Sequence, residues 1–331
     1  MQLIERNKTF VVFDKPEENC SSRIAAGIFN PITGKNWVKT WKSGTLFPYM
    51  KEFFLRVEEM LSIKCFHERI IYRPFNSLDN QNDWMARESD LNLKTYIGGI
   101  RTAPVDEHIL KNPIGGLEIS SGGFVDVPAF LKGVRSLLLS KKMIRFEHFD
   151  EKAICHVENK VVYGNYLASK VVFCQGPQMG DFWKFLPFNM VKGEILSIKV
   201  DSIFEEYTKI LNMGVFVRPF KGHFWKVGST YDHHTLDSNP TEFGKKQIID
   251  KLNRFFLPKF EIVKHVAGIR PATMDRRPFI GMHPDIKNIV IFNGLGAKGV
   301  TLAPYFSKIL LDFLEHGEEL EKEISSERYR H

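Results

Sequence analysis

The stretch GIRPATMDRRPFIGMHPDIKNIVIFNGLGAKGVTLAP, residues 268–304, decides the fold of this chain. Its segment Asn288–Asn293 is a short, apolar, β-branched run between polar residues, which is typical of a fully buried strand. Three glycines follow directly, and apolar residues then recur at helical spacing from Val300 to Leu314. Glycines between a strand and a helix let backbone N–H groups approach a ligand, because no Cβ stands in the way. The stretch therefore predicts a buried strand, a cofactor-binding glycine loop and a helix.

Length and composition indicate a reduced globular protein with one large domain or two ordinary ones. The chain has 331 residues, of which 43% are hydrophobic and 26% charged, as is usual for globular proteins. It contains neither a membrane-spanning apolar run nor a signal-peptide pattern, and its four cysteines lack metal-ligand spacing. We therefore expect a cytoplasmic protein with no membrane segment and no metal site. The sequence also lacks GxSxG, HExxH and Walker A motifs, which argues against those hydrolase and nucleotidase classes.

The net charge of +7 favours an anionic partner only weakly. The Lys and Arg residues are spread along the chain without a basic block, and we expect no interleaving of basic and aromatic side chains. A solvated basic surface is the preferred interpretation. The closing stretch Glu315–His331 is charged and lacks apolar periodicity after Leu320, so we predict that it frays.

Signals of parallel and antiparallel sheet alternate along the rest of the chain. We predict a buried strand at Thr9–Asp14, a small-residue loop at Ser21–Pro31 and a half-buried antiparallel strand at Gly193–Val200. A hairpin is predicted from the two runs Val161–Tyr163 and Lys170–Cys174. This alternation indicates two domains that are interleaved along the chain. The first is predicted from residues 1–50, 120–190 and 263–331, and the second from residues 51–119 and 191–262.

Four features carry candidate chemistry, and each has a structural alternative. Asp14 ends a buried strand, where a dinucleotide fold places the acid that binds an adenosine ribose, or where a turn carries an ordinary aspartate. The loop Ser21–Pro31 is suited to a planar ligand or to a tight turn. Arg270, between isoleucine and proline, offers a planar fork to a carboxylate of a substrate or of the protein itself. Lys298, in the glycine loop, either stabilises a reduced cofactor or faces solvent.

Eight blocks, in order over nearly the whole chain, resemble the D-amino acid oxidase (DAO) family of FAD-dependent oxidoreductases, which includes glycine oxidase and sarcosine oxidase. The resemblance implies a Rossmann-like α/β FAD-binding domain assembled from separated segments, together with an antiparallel-sheet substrate domain that covers the flavin. The blocks are VVFDK (11–15), SSRIAAGIFNP (21–31), GGFVDVPAF (122–130), KVVFCQG (170–176), VKGEIL (191–196), FVRPFKGHFWKVGSTY (216–231), GIRPATMDRRPFIG (268–281) and NGLGAKGVTLAP (293–304).

The resemblance also implies a role for each matched residue. Arg270 would clamp the substrate carboxylate and hold the amine's C–H bond over flavin N5 for hydride transfer. Asp14 would bind the adenosine ribose, Phe149 would lie near the adenine, and Cys174 would lie near the ribose and pyrophosphate. The other implied FAD contacts are Lys15, Ser22, Ala25, Ala26, Gly27, Gly176, Gly294, Gly296, Ala297, Lys298, Gly299 and Val300, with Ala25–Gly27 beside the flavin ring and Gly294–Val300 at its polar edge.

The sequence departs from the family pattern at two places. Leu295 stands where the glycine loop of the family commonly carries a histidine. The family also begins with a strand and a GxGxxG turn before the acidic strand end, and here Met1–Lys8 instead resembles the tail of the following helix. We therefore expect either a start further upstream or a form that is truncated at its N-terminus.

The leading functional hypothesis is an FAD-dependent oxidoreductase that oxidises the C–N bond of a small amino acid or N-substituted glycine. A second hypothesis keeps the flavin and makes the substrate the carboxymethylaminomethyl group of a tRNA wobble uridine. GIRPATMDRRPFIG together with GLGAKG resembles the oxidase domain with that activity. A third hypothesis is a flavin-free remnant or binding module. No feature of the sequence specifies an oligomeric state.

Overall fold

The computed structural model of the chain describes residues 1–15, 20–34 and 36–329. The α-helices are α1 Gln2–Glu5, α2 Ser21–Ile24, α3 Ser43–Leu61, α4 Leu78–Ala86, α5 Leu91–Lys94, α6 Val127–Ser140, α7 Glu242–Leu252 and α8 Gly299–His316. The β-strands are β1 Val12–Phe13, β2 Ile28–Phe29, β3 Ile32–Thr33, β4 Val38–Lys39, β5 Phe66–Glu68, β6 Ile71–Pro74, β7 Ile97–Arg101, β8 Gly116–Ile119, β9 Gly123–Val125, β10 Ile144–Arg145, β11 Cys155–Val157, β12 Lys160–Tyr163, β13 Tyr166–Ala168, β14 Val171–Phe173, β15 Val191–Val200, β16 Ile210–Asn212, β17 Phe216–Lys221, β18 Phe224–Gly228, β19 Phe260–Arg270, β20 Phe279–Met282 and β21 Ile289–Asn293.

An eight-stranded sheet in the order β19-β15-β18-β17-β16-β6-β8-β7 is the largest element of the described structure. Its neighbours are antiparallel except for β16 and β6, which run parallel. The alternating pattern predicted for Gly193–Val200 corresponds to β15, whose Leu196 and Ile198 are fully buried. These side chains pack with Ile248 and Leu252 of α7 on one face of the sheet. The other face of the sheet carries the site described below.

The parallel part of the fold consists of two separate pieces. In one, β14 and β21 are parallel neighbours with β20 antiparallel at the edge. In the other, β1 pairs with β10 in parallel. No strand among the described residues joins the two pieces. The ring of Phe149 lies between them, with its centroid 5.4 Å from that of Phe13 on β1 and 6.0 Å from that of Phe173 on β14.

Helices α3 and α8 cover the β20–β21 side and form the largest apolar cluster with it. The buried face of α3 carries Phe47, Met50 and Phe54, and that of α8, which follows the helical spacing predicted for Val300–Leu314, carries Leu302 and Phe306. The strand and helix predicted from the 268–304 stretch are confirmed as β21 and α8. The mixed fold class, an α/β part combined with an antiparallel sheet, is also as predicted.

Three local predictions are wrong. Lys170–Cys174 does not pair with Val161–Tyr163, because β12 turns back at Gly164 to pair with β13, whereas β14 pairs with β21. Residues Ser21–Ile24 form a single helical turn rather than a loop. The C-terminal stretch does not fray over its described part, since Ile324 is fully buried in the apolar cluster of α3 and α8. Each of these outcomes depends on contacts with distant parts of the chain.

Candidate functional site

Arg270 lies at the end of β19, opposite Val191 of β15. Its guanidinium crosses the neighbouring strand at Gly193, where a Cβ would overlap it, so the glycine makes room for the arginine. Nη1 donates to the carbonyl oxygen of Thr230 at 3.2 Å, and Nη2 donates to Oγ of Ser229 at 2.7 Å. Burial lowers the pKa of Arg270.

The electrostatic state of Arg270 distinguishes it from an ordinary structural arginine. Both of its hydrogen-bond acceptors are neutral, and no carboxylate among the described residues forms an ion pair with it. The ring of Tyr231 covers one face of the guanidinium, with the ring centroid 4.7 Å from Cζ. A buried cation without a carboxylate partner is suited to bind an anionic ligand, because that ligand supplies the missing countercharge.

The glycine loop lies next to Arg270 through direct backbone contacts. The N–H of Gly296 donates to the carbonyl oxygen of Pro271 at 3.0 Å. The side chain of Asn293 donates from Nδ2 to the carbonyl oxygen of Gly176 at 2.9 Å, which ties the loop to the end of β14. Gly294 and Gly296 have φ values of +79° and +53°, which favour glycine. The structure thus brings together three segments that the sequence analysis singled out separately.

Lys298 is partly buried at the end of this loop. Burial is the main cause that lowers its pKa, and the positive charges of Arg276 and Arg277 lower it further. Ala297 beside it is exposed, whereas Gly299 and Val300 are half-buried at the start of α8. The loop therefore presents a cationic edge next to open backbone.

The segment Ala25–Gly27 follows α2, which packs against β19. Gly27 has a φ of +68°, and a Cβ there would overlap the carbonyl oxygen of Val125. The N–H of Val125 donates to the carbonyl oxygen of Gly27 at 2.9 Å. Ser22 is exposed on α2, whereas Ala26 and Gly27 are buried.

The residues predicted for the adenosine end have protein partners. Asp14 accepts two hydrogen bonds at Oδ2 from Arg135, from Nε at 3.1 Å and from Nη2 at 2.8 Å. Phe149 stacks on Tyr163 with ring centroids 4.2 Å apart. Lys15 after β1 and Cys174 after β14 are both exposed. β1, which precedes Asp14, and β14, which is tied to the glycine loop, belong to separate sheets.

The described residues fit the flavin-ring and carboxylate end of an FAD site. Backbone at Gly176 and Gly299 is open, since a Cβ at either residue would meet no atom closer than 4.0 Å. The unneutralised cations Arg270 and Lys298 suit the negative charge of a carboxylate and of a reduced flavin ring. At the adenosine end, Asp14 has one carboxylate oxygen, Oδ1, for which no described partner exists. FAD would thus be held by the glycine loop, the Ala25–Gly27 segment and Asp14.

A family model described as DAO, FAD dependent oxidoreductase, matches residues 1–313. The chain belongs to this family. The description of the family gives FAD as its cofactor, so the cofactor prediction and the family resemblance are both confirmed at this level.

Several known proteins are similar to this DAO-family chain. A glycine oxidase of Bacillus subtilis is 28% identical over 232 residues, which span 64% of this chain and 62% of that protein. A tRNA 5-methylaminomethyl-2-thiouridine biosynthesis bifunctional protein, MnmC, of Legionella pneumophila is 26% identical over 182 residues, 52% of this chain and 26% of that protein. The chain therefore matches less than two thirds of the length of these curated relatives.

Solved structures show the same fold. Glycine oxidase from Bacillus cereus superposes with a TM-score of 0.76 at 20% identity, covering 96% of this chain and 93% of that one. Iminodiacetate oxidase from Chelativorans sp. BNC1 superposes with a TM-score of 0.75 at 17% identity, covering 99% of this chain and 94% of that one. At these identities the comparison establishes the architecture of a DAO-family protein.

Sequence analysis missed a row of basic side chains on the face of the sheet that carries Arg270. Arg218, Lys226 and Lys264 are cross-strand neighbours through Ser197, and the alternation of β15 places Ser197 on the same side as Gly193. The guanidinium of Arg218 is 1% exposed and lies 4.1 Å from the ring centroid of Phe124. The sequence signal that could have revealed this row is the alternation of side chains along a strand, which places Arg218 on the opposite face from its apolar neighbour Val217.

Burial lowers the pKa of Lys226 to about 8. Burial is the largest cause of this shift, the neighbouring cations Arg218 and Lys264 contribute to it, and the carboxylate of Asp126 opposes it. The side chain of Lys226 also lies over the ring of Phe220, 5.2 Å from its centroid. The expectation that basic and aromatic residues do not interleave is therefore wrong for β17 and β18, because their pairing brings together residues that are apart in sequence.

No helix in the described part of the chain combines the length and the apolar character needed to cross a membrane. Among residues 1–15, 20–34 and 36–329 there is also no group of three His, Cys, Asp or Glu side chains that could hold a metal ion.

Proposed function

We propose that this protein is an FAD-dependent oxidoreductase that oxidises the C–N bond of a small amino acid or N-substituted glycine. The observation that carries the proposal is Arg270, a half-buried guanidinium with only neutral partners, one peptide away from the contact between Pro271 and the glycine loop. Similarity to a glycine oxidase and to an iminodiacetate oxidase supports the substrate class, since both names denote amines that carry a carboxylate.

The chain's own residues have defined tasks in this proposal. Arg270 binds the substrate carboxylate through its planar fork, and Ser229 and Thr230 hold the guanidinium in place. Tyr231 covers the outer face of the guanidinium, so the substrate approaches along the edge of the fork. When bound, FAD would supply the chemistry by accepting a hydride from the C–H bond next to the amine nitrogen, which turns the C–N bond into an imine that water hydrolyses. Lys298 favours negative charge at the edge of the flavin ring.

The direct test is to add FAD to the purified protein and to record the flavin absorption spectrum of the complex. Glycine, sarcosine and iminodiacetate are then supplied, and reduction of the flavin is followed without oxygen. We expect a bound flavin spectrum that bleaches with at least one of these amines. A protein that remains colourless, or a bound flavin that none of the amines reduces, would contradict the proposal; the colourless result would support a flavin-free binding module.

A second candidate substrate is a carboxymethylaminomethyl group on a tRNA nucleoside. The ring of Tyr231 favours it, because this ring lies over the Arg270 guanidinium and is 68% exposed. Exposed aromatic rings next to cations can stack on nucleobases while binding phosphates. The 26% identity to MnmC of L. pneumophila is consistent with this candidate.

The two substrate classes are distinguished by comparing their rates of turnover. Turnover of free glycine or sarcosine is compared with turnover of tRNA that carries the carboxymethylaminomethyl group, using the exposed-ring variant Tyr231→Ser. We expect the substitution to change turnover of free amino acids little if tRNA is the substrate, and to reduce turnover of the modified tRNA. An equal loss on both substrates would favour a role of Tyr231 in covering Arg270.

A further inference from the structure

The segment from Gly317 to Tyr329, here called the C-terminal strap, runs across the start of β20. Ile280 donates its N–H to the carbonyl oxygen of Ile324 at 2.9 Å, and Ser326 donates its N–H back to the carbonyl oxygen of Ile280 at 2.8 Å. Oγ of Ser326 donates to the carbonyl oxygen of Met282 at 3.1 Å. The strap is thus attached along β20 in the manner of an added strand, and Ile324 anchors it in the apolar cluster.

The strap ends on the turn between β19 and β20, residues 273–278. Arg328 donates from Nε and Nη2 to the two carboxylate oxygens of Asp275, at 2.8 and 3.2 Å. It also donates to the carbonyl oxygens of Arg277 and Pro278, at 3.0 and 2.9 Å. Its guanidinium lies 3.9 Å from the ring centroid of Phe279, and its side chain is 6% exposed. Four hydrogen bonds from one side chain hold residues 275–278 of this turn.

The same turn is connected to both parts of the candidate site. It begins three residues after Arg270, and the carbonyl oxygen of Pro271 accepts the N–H of Gly296. The side chain of Thr273 donates to the carbonyl oxygen of Arg277 at 2.8 Å, and its methyl group lies directly below Gly294. Arg270 is held separately by Ser229 and Thr230, so a displacement of the turn would change the position of the glycine loop relative to Arg270.

We propose that Arg328 is a positioning residue for the site: by fixing the turn at Asp275, it sets the distance between Arg270 and the glycine loop. This rests on the proposed function as far as the substrate carboxylate is concerned. Arg328 itself touches neither substrate nor cofactor. Its effect reaches the site because a two-nitrogen contact to a carboxylate has a fixed geometry, which a single flexible cation does not reproduce.

The test compares Arg328→Gln with Arg328→Lys, and uses Arg101→Gln as the matched control. Arg101 also binds a carboxylate through two donors, Glu118 at 3.1 and 2.6 Å, but it lies on the edge strand β7. KM and kcat for the amine are measured on the FAD-loaded protein, together with the Kd of benzoate as a carboxylate probe. Hydrogen–deuterium exchange is measured for residues 271–278, for residues 294–299 and for the strap.

We expect Arg328→Gln to raise KM and the benzoate Kd about tenfold, a change equivalent to one lost hydrogen bond to a charged group, with a smaller effect on kcat. Arg328→Lys is expected to recover part of this loss, and Arg101→Gln to leave both constants unchanged. Exchange should increase in both the turn and the glycine loop of Arg328→Gln.

The inference is overturned if exchange increases only within the strap itself, or if Arg101→Gln shifts KM as much as Arg328→Gln does. Because exchange needs no substrate, it still decides the role of Arg328 if the wild-type protein oxidises none of the amines. Failure of the wild-type protein to oxidise any of the amines would reject the proposed function, and it would not affect the inference about Arg328. If Arg328→Gln does not fold, Arg328→Lys and Asp275→Asn take its place. The inference then requires that both variants increase hydrogen–deuterium exchange in the glycine loop.

Discussion

The two ends of the candidate FAD site differ in how their charges are neutralised. At the flavin-ring end, Arg270 and Lys298 are partly buried and have no carboxylate partner among the described residues. At the adenosine end, the carboxylate of Asp14 is already bound by Arg135, and Phe149 is stacked on Tyr163. The difference indicates that the ring end is arranged for an anionic ligand before that ligand arrives, whereas the adenosine end must exchange protein contacts for ligand contacts.

The largest expected effect comes from removing the charge at the ring end. Arg270→Met should lower kcat/KM by about 10²–10³-fold, because a buried hydrogen-bonded charge pair is worth about 2–5 kcal/mol. FAD affinity should change little, since the loss is at the substrate carboxylate. The measurement is steady-state kinetics with flavin titration, and Arg270→Lys serves as the variant that keeps the charge. Full activity of Arg270→Met would show that the arginine does not bind the substrate.

A second prediction concerns the space that Gly193 leaves for Arg270. Gly193→Ala should push the guanidinium away from Ser229 and reduce kcat/KM about 10-fold or more, with roughly 1–3 kcal/mol lost in unfolding free energy from overpacking. Activity and urea unfolding measure the two effects separately. Gly44→Ala is a suitable control because no atom lies within 4 Å of its added methyl group and its backbone does not require glycine. Wild-type activity in Gly193→Ala would mean that Arg270 can act from another position.

A third prediction tests whether the unneutralised cations carry a stability cost. Below pH 8, Lys226 is charged in both the folded and the unfolded chain, and burial disfavours that charge in the folded one. Lys226→Met should therefore raise the free energy of unfolding at pH 7 by about 1–3 kcal/mol, as one pKa unit corresponds to about 1.4 kcal/mol. Between pH 8 and 10.5 only the unfolded chain keeps the proton, so the gain should shrink and then vanish.

Denaturant unfolding at several pH values gives this profile. Lys199→Met, at an exposed position on β15, is the control and should show no such pH dependence. A stabilisation of Lys226→Met that persisted above pH 10.5 would point to packing rather than charge as its cause.

The smallest effect is expected at the adenosine end. Arg135→Met frees Asp14, and we expect FAD to bind about three- to tenfold more tightly, since partly exposed ion pairs are worth about 1 kcal/mol or less. Flavin titration measures the Kd, and Arg145→Met on the neighbouring β10 is the control. Weaker binding in Arg135→Met would instead show that Arg135 itself contacts the cofactor, and would remove the contrast between the two ends.

Local patterns were sufficient for the elements that bury themselves through their own residues. The apolar run at Asn288–Asn293 became β21, and the spacing from Val300 to Leu314 became α8. The division into two domains and the individual FAD contacts remain predictions. The resemblance of eight ordered blocks identified the family, because these blocks hold the glycines and the arginine that its fold places around one ligand.

Other features were outside the reach of local patterns. The hairpin assigned to Lys170–Cys174 was wrong because a strand's partner depends on the whole sheet, and here β21 pairs with it from more than 100 residues away. The charged tail does not fray, because Arg328 and Ile324 find partners at Asp275 and in the α3–α8 cluster. Neither partner is marked by composition or spacing in the tail itself.

By itself, the amino-acid sequence determined the family, through the resemblance of eight ordered blocks. Short-range periodicity and residue type were sufficient for the mixed fold class and the arginine–glycine segment. Only the tertiary structure decided which charges are neutralised: Asp14 meets Arg135, whereas Arg270 meets only neutral oxygens. It also decided that Lys226 shares a face with Arg270 and that the strap holds the turn between Arg270 and the glycine loop. Neutralisation and shared faces depend on strand register and on contacts across the chain, and these form only when the whole fold is assembled.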